Sequence, residues 1–305
     1  MRTLVTGGAG FIGSHLVDAL VAEGHDVTVV DDLSRGRREQ VHGRARVVEL
    51  DVCDARLDSL IADARPEVVF HQAAQIDVRE SVRDPVADAR VNVVGTVNLL
   101  HACAQHGVRR VIFASTGGAI YGDTDVIPTP ETHTCAPESP YGTAKLCAEA
   151  YGGTFQRIRG LEFVALRYAN VYGPRQDPHG EAGVVAIFAT RLLRGDQCVI
   201  NGDGTQTRDY VYVDDVVRAN LRATSVCAPA VFNIGTAVET DVNALYSRLR
   251  RLAKSTTEAT HGAAKPGEQR RSCLDAGLAG TLLRWRPEVD LETGLARTLD
   301  YFRRS

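Results

Sequence analysis

The segment that most restricts the fold is TLVTGGAGFIGSHL (3–16). An apolar run, TLVT (3–6), meets Gly7, Gly10 and Gly13, and a helical stretch from Ser14 to Glu23 follows at once. A strand turning through three glycines into a helix is the first unit of a strand–helix–strand repeat. The repeat continues. DVTVVD (26–31), RVVEL (46–50), EVVFHQAA (67–74), RRVIFAST (109–116) and EFVALRY (162–168) read as five further strands. Helical periodicity fills about Pro85 to His106 and residues 140–159. Near-continuous apolar strands separated by helices predict an α/β protein with a doubly wound parallel sheet covered on both faces.

After residue 169 the texture changes. GPRQDPHGEAG (173–183) and AAKPGEQRRS (263–272) are loop-like, whereas YVYVDDVVRAN (210–220) and AVFNIG (230–235) read as a return to the sheet. The expected division is a nucleotide-binding part, 1–169 plus about 207–235, and a smaller discontinuous α/β lobe, about 170–206 plus 236–305. No repeat or low-complexity tract interrupts either part.

Glycines in the first turn let backbone approach a pyrophosphate, and the helix start behind them offers unpaired N–H groups and partial positive charge. Asp31 ends the second strand, where a carboxylate accepts from both ribose hydroxyls of an adenosine and repels a 2′-phosphate. NAD is therefore favoured over NADP. Arg35 is the counter-signal, because a guanidinium there could hold that phosphate. A turn that serves only helix–strand packing is the plainer alternative, and the strand, the spacing and the acid together disfavour it.

Bulk properties narrow the class. The formal net charge is −3 and no long basic run appears, which disfavours nucleic acid and polybasic membrane contacts. Arg35, Arg37 and Arg38 read as a solvated edge. Seven scattered cysteines without a C-x-x-C pair suit reduced thiols in a cytoplasm. No H-E-x-x-H or other metal-ligand spacing occurs, so no metal is expected. The chain enters its first strand without a charged leader and long apolar run, and no stretch suits a bilayer span, so neither secretion nor a membrane is expected.

The chain has three lysines against 32 arginines, and one lysine stands in SPYGTAKL (139–146). A spacing of four puts Tyr141 and Lys145 on one helix face. Ser139 suits the cap and Pro140 the first turn. An ammonium beside a phenol favours phenolate, and a phenolate beside an oxidised nicotinamide can take a proton from a sugar hydroxyl as hydride leaves the same carbon. The plainer reading is a solvated lysine next to a half-buried aromatic.

With these residues in place, the chain resembles the extended short-chain dehydrogenases/reductases, and among them the UDP-glucose (UDP-galactose) 4-epimerases. The likeness spans nearly the whole length and rests on TGGAGFIGSHL, DDLSRG, HQAA, NVVGT, STGGAIYG, SPYGTAKL, RYANVYGPRQDPHGEAGVVAIF, GDGTQTRDYVYVDDV and PGEQRRS. It implies a Rossmann sheet, a bound NAD, a UDP-sugar substrate and a homodimer formed through the helices at about 85–106 and 140–159. By that resemblance Phe11 and Ile12 line the pyrophosphate turn. Asp31, Asp32, Ser34 and Gly36 hold the adenosine ribose and phosphate, and Asp51 and Val52 flank adenine. Gln72, Ala73, Ala74 and Gln75 run under the diphosphate and nicotinamide ribose, supported by Asn92. Ser115 joins Tyr141 and Lys145 on the cofactor. Asn170, Val184, Ile200, Asn201, Arg208 and Arg271 fall where the family grips UDP. Guanidinium forks suit a diphosphate, while surface ion pairs are the plainer role of the two arginines.

At one point the chain departs from the family. The usual Ser or Thr after the fifth strand aligns with Gly117, so Thr116 is expected to supply that hydroxyl. Gly117 and Gly118 are expected to leave room near the sugar. The implied reaction is 4-epimerisation through a 4-keto sugar, with Tyr141 as base. The small Ser272 at the position near the 2-substituent implies tolerance of N-acetylhexosamines. The alternative is a UDP-glucuronate 4-epimerase, which needs donors for a carboxylate, and Asp177 is unhelpful there. A 4,6-dehydratase, a reductase and a non-catalytic NAD sensor rank lower. The dehydratase lacks its acid pair at Gly117 and Gly118, Asp31 disfavours the reductase, and a sensor has no need of Tyr141 with Lys145.

Overall fold

A computed structural model describes residues 1–179, 183–226, 230–264 and 269–304. Six strands follow the expected order: β1 (Arg2–Thr6), β2 (Asp26–Asp31), β3 (Arg46–Glu49), β4 (Val68–His71), β5 (Arg110–Thr116) and β6 (Glu162–Tyr168). The later strands are β7 (Asn170–Tyr172), β8 (Val199–Asn201), β9 (Thr207–Tyr212), β10 (Ala230–Ile234), β11 (Glu239–Asp241), β12 (Thr260–Gly262) and β13 (Arg271–Ser272). Seven strands form one sheet in the order β10-β6-β5-β4-β1-β2-β3. Every pairing in it is parallel. The chain leaves β1 toward β2 and β3 on one side, then returns to lay β4, β5, β6 and β10 on the other. This reversal opens a crevice at the carboxyl ends of β1 and β4.

The helices, again in chain order, are α1 (Phe11–Ala22), α2 (Arg56–Ala64), α3 (Val78–Arg83), α4 (Pro85–Ala89), α5 (Thr96–Gln105), α6 (Gly117–Ile120), α7 (Pro140–Arg159), α8 (Val184–Arg194), α9 (Val213–Ala223), α10 (Val242–Ala253) and α11 (Leu291–Arg304). On one face of the sheet Leu16, Val17 and Leu20 of α1 share a core with Val216 and Val217 of α9. On the other, Leu57 and Ile61 of α2 join Leu99 and Leu100 of α5 and Ala148 of α7. A third core, with Tyr172, Phe188, Tyr246 and Leu295, holds α8, α10 and α11 together. Burying both sheet faces is what the unalternated apolar strands require.

Two expectations need correction. The stretch from about Pro85 to His106 is not one α-helix: a π-helical run, Arg90–Gly95, separates α4 from α5. The extra residue per turn carries Asn92 and Gly95 inward, and a Cβ on Gly95 would come within 2.8 Å of Val52. The strand at Thr207–Tyr212 does not return to the large sheet. It pairs with β7, β11 and β13, because the free edge of β6 is taken by β10. Only α9, which follows it, packs back toward α1.

Candidate active site

One cleft of about 1770 Å³ runs along the carboxyl edge of the large sheet and continues between that edge and the smaller strands. Its floor begins at the glycine turn. Gly7 has φ +68°, and a Cβ there would lie 2.6 Å from the Ala73 nitrogen. A Cβ on Gly13 would lie 2.1 Å from the Gly7 carbonyl oxygen. These two glycines let the exits of β1 and β4 and the start of α1 converge. Gly10 caps α1, and a Cβ on it would meet only Gly7 O, at 3.3 Å. No side chain caps this helix and its first turn holds no acid, so its leading N–H groups remain for an anion. Phe11 and Ile12 line the same wall.

Asp31 is buried at the end of β2 and fixed by backbone. Its carboxylate accepts from the Ala9 and Leu33 amides, both at 2.9 Å. Burial raises its pKa and those amide donations oppose the rise. A side chain on Gly36 would enter that carboxylate, at 2.6 Å from Oδ1. Asp32 accepts from the Ser34 amide and hydroxyl at 3.0 and 2.6 Å. With Arg35, Asp51 and Val52, these residues surround one end of the cleft. The shape fits a dinucleotide: a side-chain-free cradle at a helix start, then a fixed acid at the next strand end.

Gln72 to Gln75 also line the cleft, but the two glutamine side chains are occupied elsewhere. Gln72 donates to Asn220 Oδ1 at 3.1 Å and to the Tyr168 hydroxyl at 3.3 Å. Gln75 donates to Asp88 Oδ1 at 2.8 Å. Asn92 is buried behind this segment, off the cleft wall. Its Oδ1 accepts from the Gln75 amide at 3.0 Å and its Nδ2 donates to the Gln75 carbonyl at 2.9 Å. Ser115 lines the cleft while its hydroxyl donates to Glu149 at 2.5 Å, and Glu149 is paired with Arg167 at 2.6 Å.

The Tyr141–Lys145 pair stands where the cleft passes β5. Ser139 caps α7 by accepting from the Gly142 amide at 3.1 Å, and Pro140 opens the helix. Lys145 is buried. Its Nζ donates to the Ala114 carbonyl at 2.9 Å and lies 5.8 Å from the Tyr141 ring centre. Burial lowers the Lys145 pKa to about 8, opposed by the charges of Asp88 and Glu149. Tyr141 is half-buried on the wall, and Thr116 hydrogen-bonds its phenol. The phenol nevertheless sits above its ordinary pKa, first through burial and then through the Asp88 charge; the Thr116 contact works against both. Burial thus opposes the acidification expected from an ammonium together with an oxidised nicotinamide.

Gly117 does not leave room for the sugar. A Cβ there would lie 2.3 Å from Leu274 Cδ1, so this residue faces packed core. Gly118 does face the cleft, and a Cβ on it would find only Ser272 Oγ at 3.8 Å and Asn170 Oδ1 at 3.9 Å. Of the residues expected to grip UDP, Asn170, Val184, Ile200, Asn201 and Arg208 line the cleft. Arg271 lies off its wall. It is exposed and its fork is engaged by Glu239 at 3.0 and 2.5 Å. Sequence reasoning missed Asp88, whose spacing of four before Asn92 was the available signal. It also missed the polar loop residues Arg175 and Gln176 on the wall.

A parallel sheet whose glycine turn, strand-end acid and Tyr–Lys helix meet in one cleft defines a Rossmann-type dinucleotide-dependent enzyme scaffold. The chain belongs to the NAD dependent epimerase/dehydratase family, whose model matches residues 3–235. Within it, the chain is 48% identical over 309 residues to the UDP-glucose 4-epimerase of Mycolicibacterium smegmatis, covering 99% of both. It superposes on the UDP-glucose 4-epimerase of Thermotoga maritima, solved with UDP-glucose, at TM-score 0.98 and 50% identity, covering 100% of this chain and 99% of that one. The UDP-glucose 4-epimerase of Thermus thermophilus, solved with NAD, matches at TM-score 0.95 and 43% identity over 99% of each chain.

Proposed function

We propose that the protein is an isomerase that interconverts UDP-glucose and UDP-galactose by NAD-dependent 4-epimerisation through a 4-keto sugar. One observation carries the reading: Tyr141, Lys145 and Thr116 face the same cleft as the glycine cradle at one end and Asn201 with Arg208 at the other. NAD, held by the glycine turn, Asp31 and Lys145, would supply a reversible hydride acceptor and positive charge. Tyr141 takes the 4-hydroxyl proton and later returns it. Thr116 orients the phenol and the reacting hydroxyl. Lys145, anchored on the Ala114 carbonyl, holds the ribose side of the cofactor and keeps a compact positive charge behind the base. Arg208 grips the diphosphate while Gly118 leaves the sugar free to present its other face. Arg271 joins that grip by exchanging Glu239 for phosphate oxygens.

The remaining parts of the reading are proposals of the same kind. The segments of the large sheet, 1–169 plus about 213–235, hold the cofactor, and 170–212 plus 236–305, which include the strand at Thr207–Tyr212, hold the sugar nucleotide. A homodimer through the helices at 85–106 and 140–159 is supported by exposed Val86, Val94, Tyr151 and Ile158 on those segments. The reduced-thiol composition supports a cytoplasmic setting; among the described residues no helix is long and apolar enough to cross a membrane. The space beside Gly118, where a Cβ would meet nothing nearer than 3.8 Å, supports turnover of UDP-N-acetylhexosamines, whereas Ser272 is buried and off the cleft wall. Asp177 on the cleft wall supports a neutral sugar over a glucuronate. The test is a panel of UDP-sugars offered to purified protein without added NAD. Conversion of UDP-galactose is expected, and a requirement for added reduced cofactor with net reduction of the sugar would overturn the reading.

A further inference from the structure

The imidazole of His71 has no role in the reading above, although it stands just before Gln72–Gln75 on the cleft wall. It closes β4 and is 1% exposed. Both ring nitrogens meet hydroxyls: Nδ1 lies 2.7 Å from Thr6 Oγ1, and Nε2 lies 3.0 Å from Thr96 Oγ1. The neighbours decide where each proton sits. Thr96 gives its one hydroxyl proton to the Asn92 carbonyl, at 2.7 Å, so toward the ring it can only accept. Nε2 therefore carries the imidazole proton and Nδ1 is bare. Thr6 donates to that bare nitrogen, which leaves its oxygen to accept from the Ala73 amide at 3.3 Å. Burial, and then the Lys145 charge, lower the pKa of the ring to about 3 and keep it neutral. The chain of bonds thus runs in one direction, from the Ala73 amide to the Asn92 carbonyl. Its two ends hold the two ends of the floor segment. Ala73 hangs on Thr6, and the Gln75 amide and carbonyl are held by the Asn92 side chain at 3.0 and 2.9 Å. No slack separates this floor from the glycine turn: a Cβ on Gly7, next to Thr6, would lie 2.6 Å from the Ala73 nitrogen.

We propose that His71 is a positioning residue for the cofactor: as the neutral Nε2–H tautomer it ties the end of β1 to the π-helical run, and so fixes the Ala73–Gln75 backbone against the dinucleotide. This rests on the reading that NAD lies along the glycine turn. It goes beyond that reading by giving the support of the floor to a side chain off the cleft wall. The plainer role is that of a core histidine satisfied by whichever hydroxyls are near. Two features weigh against it. The order of the bonds cannot be inverted at the ring alone. With the proton on Nδ1, Nε2 and Thr96 Oγ1 would face each other as two acceptors unless Thr96 released the Asn92 carbonyl. The bonds also cross elements at the carboxyl edge of the sheet, where the cleft opens: Thr6 ends β1, His71 ends β4 and Thr96 follows the π-helical run. That run serves the same end, since Asn92 offers its carbonyl to Thr96 and its side chain to Gln75.

The test uses the full chain freed of nucleotide. Long-range proton–nitrogen correlation NMR reads the tautomer in the parent, with His71→Gln assigning the signal. Nε2–H is expected at neutral pH, and a ring found as Nδ1–H or as imidazolium would overturn the proposal. Affinities for NAD and for UDP are then measured by calorimetry in two pairs of variants. Thr6→Val and Thr96→Val keep the shape and remove a hydroxyl, whereas Thr6→Ser and Thr96→Ser keep the hydroxyl. Each valine variant is expected to bind NAD about tenfold more weakly with UDP affinity unchanged, and each serine variant to stay within about threefold of the parent. The double valine variant should lose little more than either single one, because the chain is already broken. Equal losses for NAD and UDP would mean a general loosening of the fold. Parent-like NAD affinity in the valine variants would mean a core histidine and nothing more. Either result overturns the proposal. Absence of NAD binding in the parent would sink the cofactor reading and this proposal together, and is told apart because it needs no substitution.

Discussion

The two walls of the cleft are made from different materials. The wall proposed for the cofactor is mostly backbone: the ends of β1, β2 and β4, the glycine turn and the start of α1, with Asp31 pinned by two amides. The opposite wall is mostly side chains on β7, α8, β8 and β9, and one of its two expected arginines is occupied by Glu239. Backbone held in a seven-stranded sheet cannot re-aim, so that wall is finished before any ligand arrives. Side chains with exchangeable partners can re-aim, and that wall is completed by the ligand. The division suits a reaction in which one ligand stays while the other must enter, turn over and leave.

The proposed catalytic cluster lies at the junction, and breaking it should produce the largest effect. Tyr141→Phe is expected to lower kcat by about 10²–10⁴-fold with NAD still copurifying. Loss of NAD in that variant would show that the phenol serves binding instead. Next comes the cofactor wall. Gly13→Ala puts a methyl 2.1 Å from a carbonyl oxygen and should yield protein without NAD, inactive until the cofactor is supplied in excess, as read by the absorbance of the purified protein. Gly117→Ser should destabilise the fold by about 1–3 kcal/mol in denaturant melts by overpacking against Leu274.

On the substrate wall the effects should be smaller and fall on KM. Arg208→Ala is expected to raise KM for UDP-galactose by about tenfold or more with kcat little changed, the signature of lost ground-state binding. Arg271→Ala should raise it less, because releasing Glu239 offsets part of the gain. Equal effects from the two arginines would blur the proposed contrast. The alkaline limb gives the finest test. Lys145 loses its ammonium near pH 8, so kcat should decline as pH rises through that value. Its folded pKa lies below the ordinary 10.5, so between the two values the unfolded chain binds more protons, and this residue makes stability rise with pH. Activity and melting temperature should therefore move in opposite directions there.

The same contrast explains what could be read in advance. Gly7, Gly13 and Asp31 were legible because each is demanded by local backbone geometry, and the doubly wound parallel sheet, though not its membership, followed from the apolar strand rhythm. The α7 start was legible because Ser139 and Pro140 carry a cap and a first-turn residue in adjacent positions. Other features were hidden because they depend on residues distant in the chain. Leu274 fills the space at Gly117 across 157 positions, a contact no local spacing announces. The π-helical run at Arg90–Gly95 looks like α-helix in periodicity, and only the inward Asn92 betrays it. Asp88 reads as one more helix acid until burial and its neighbours are known. The strand at Thr207–Tyr212 reads as a return to the large sheet because strand character says nothing about which edge is free.

Epimerisation of this kind requires a proton to leave and return at the 4-hydroxyl oxygen and a hydride at C4, without net oxidation. The most direct measurement incubates UDP-galactose deuterated at C4 with freshly purified protein, no cofactor added, and reads the UDP-glucose product by mass spectrometry and proton NMR. Retention of deuterium at C4 in the inverted product is predicted, because the hydride equivalent never leaves the cleft. Product bearing protium at C4, drawn from solvent, would contradict it.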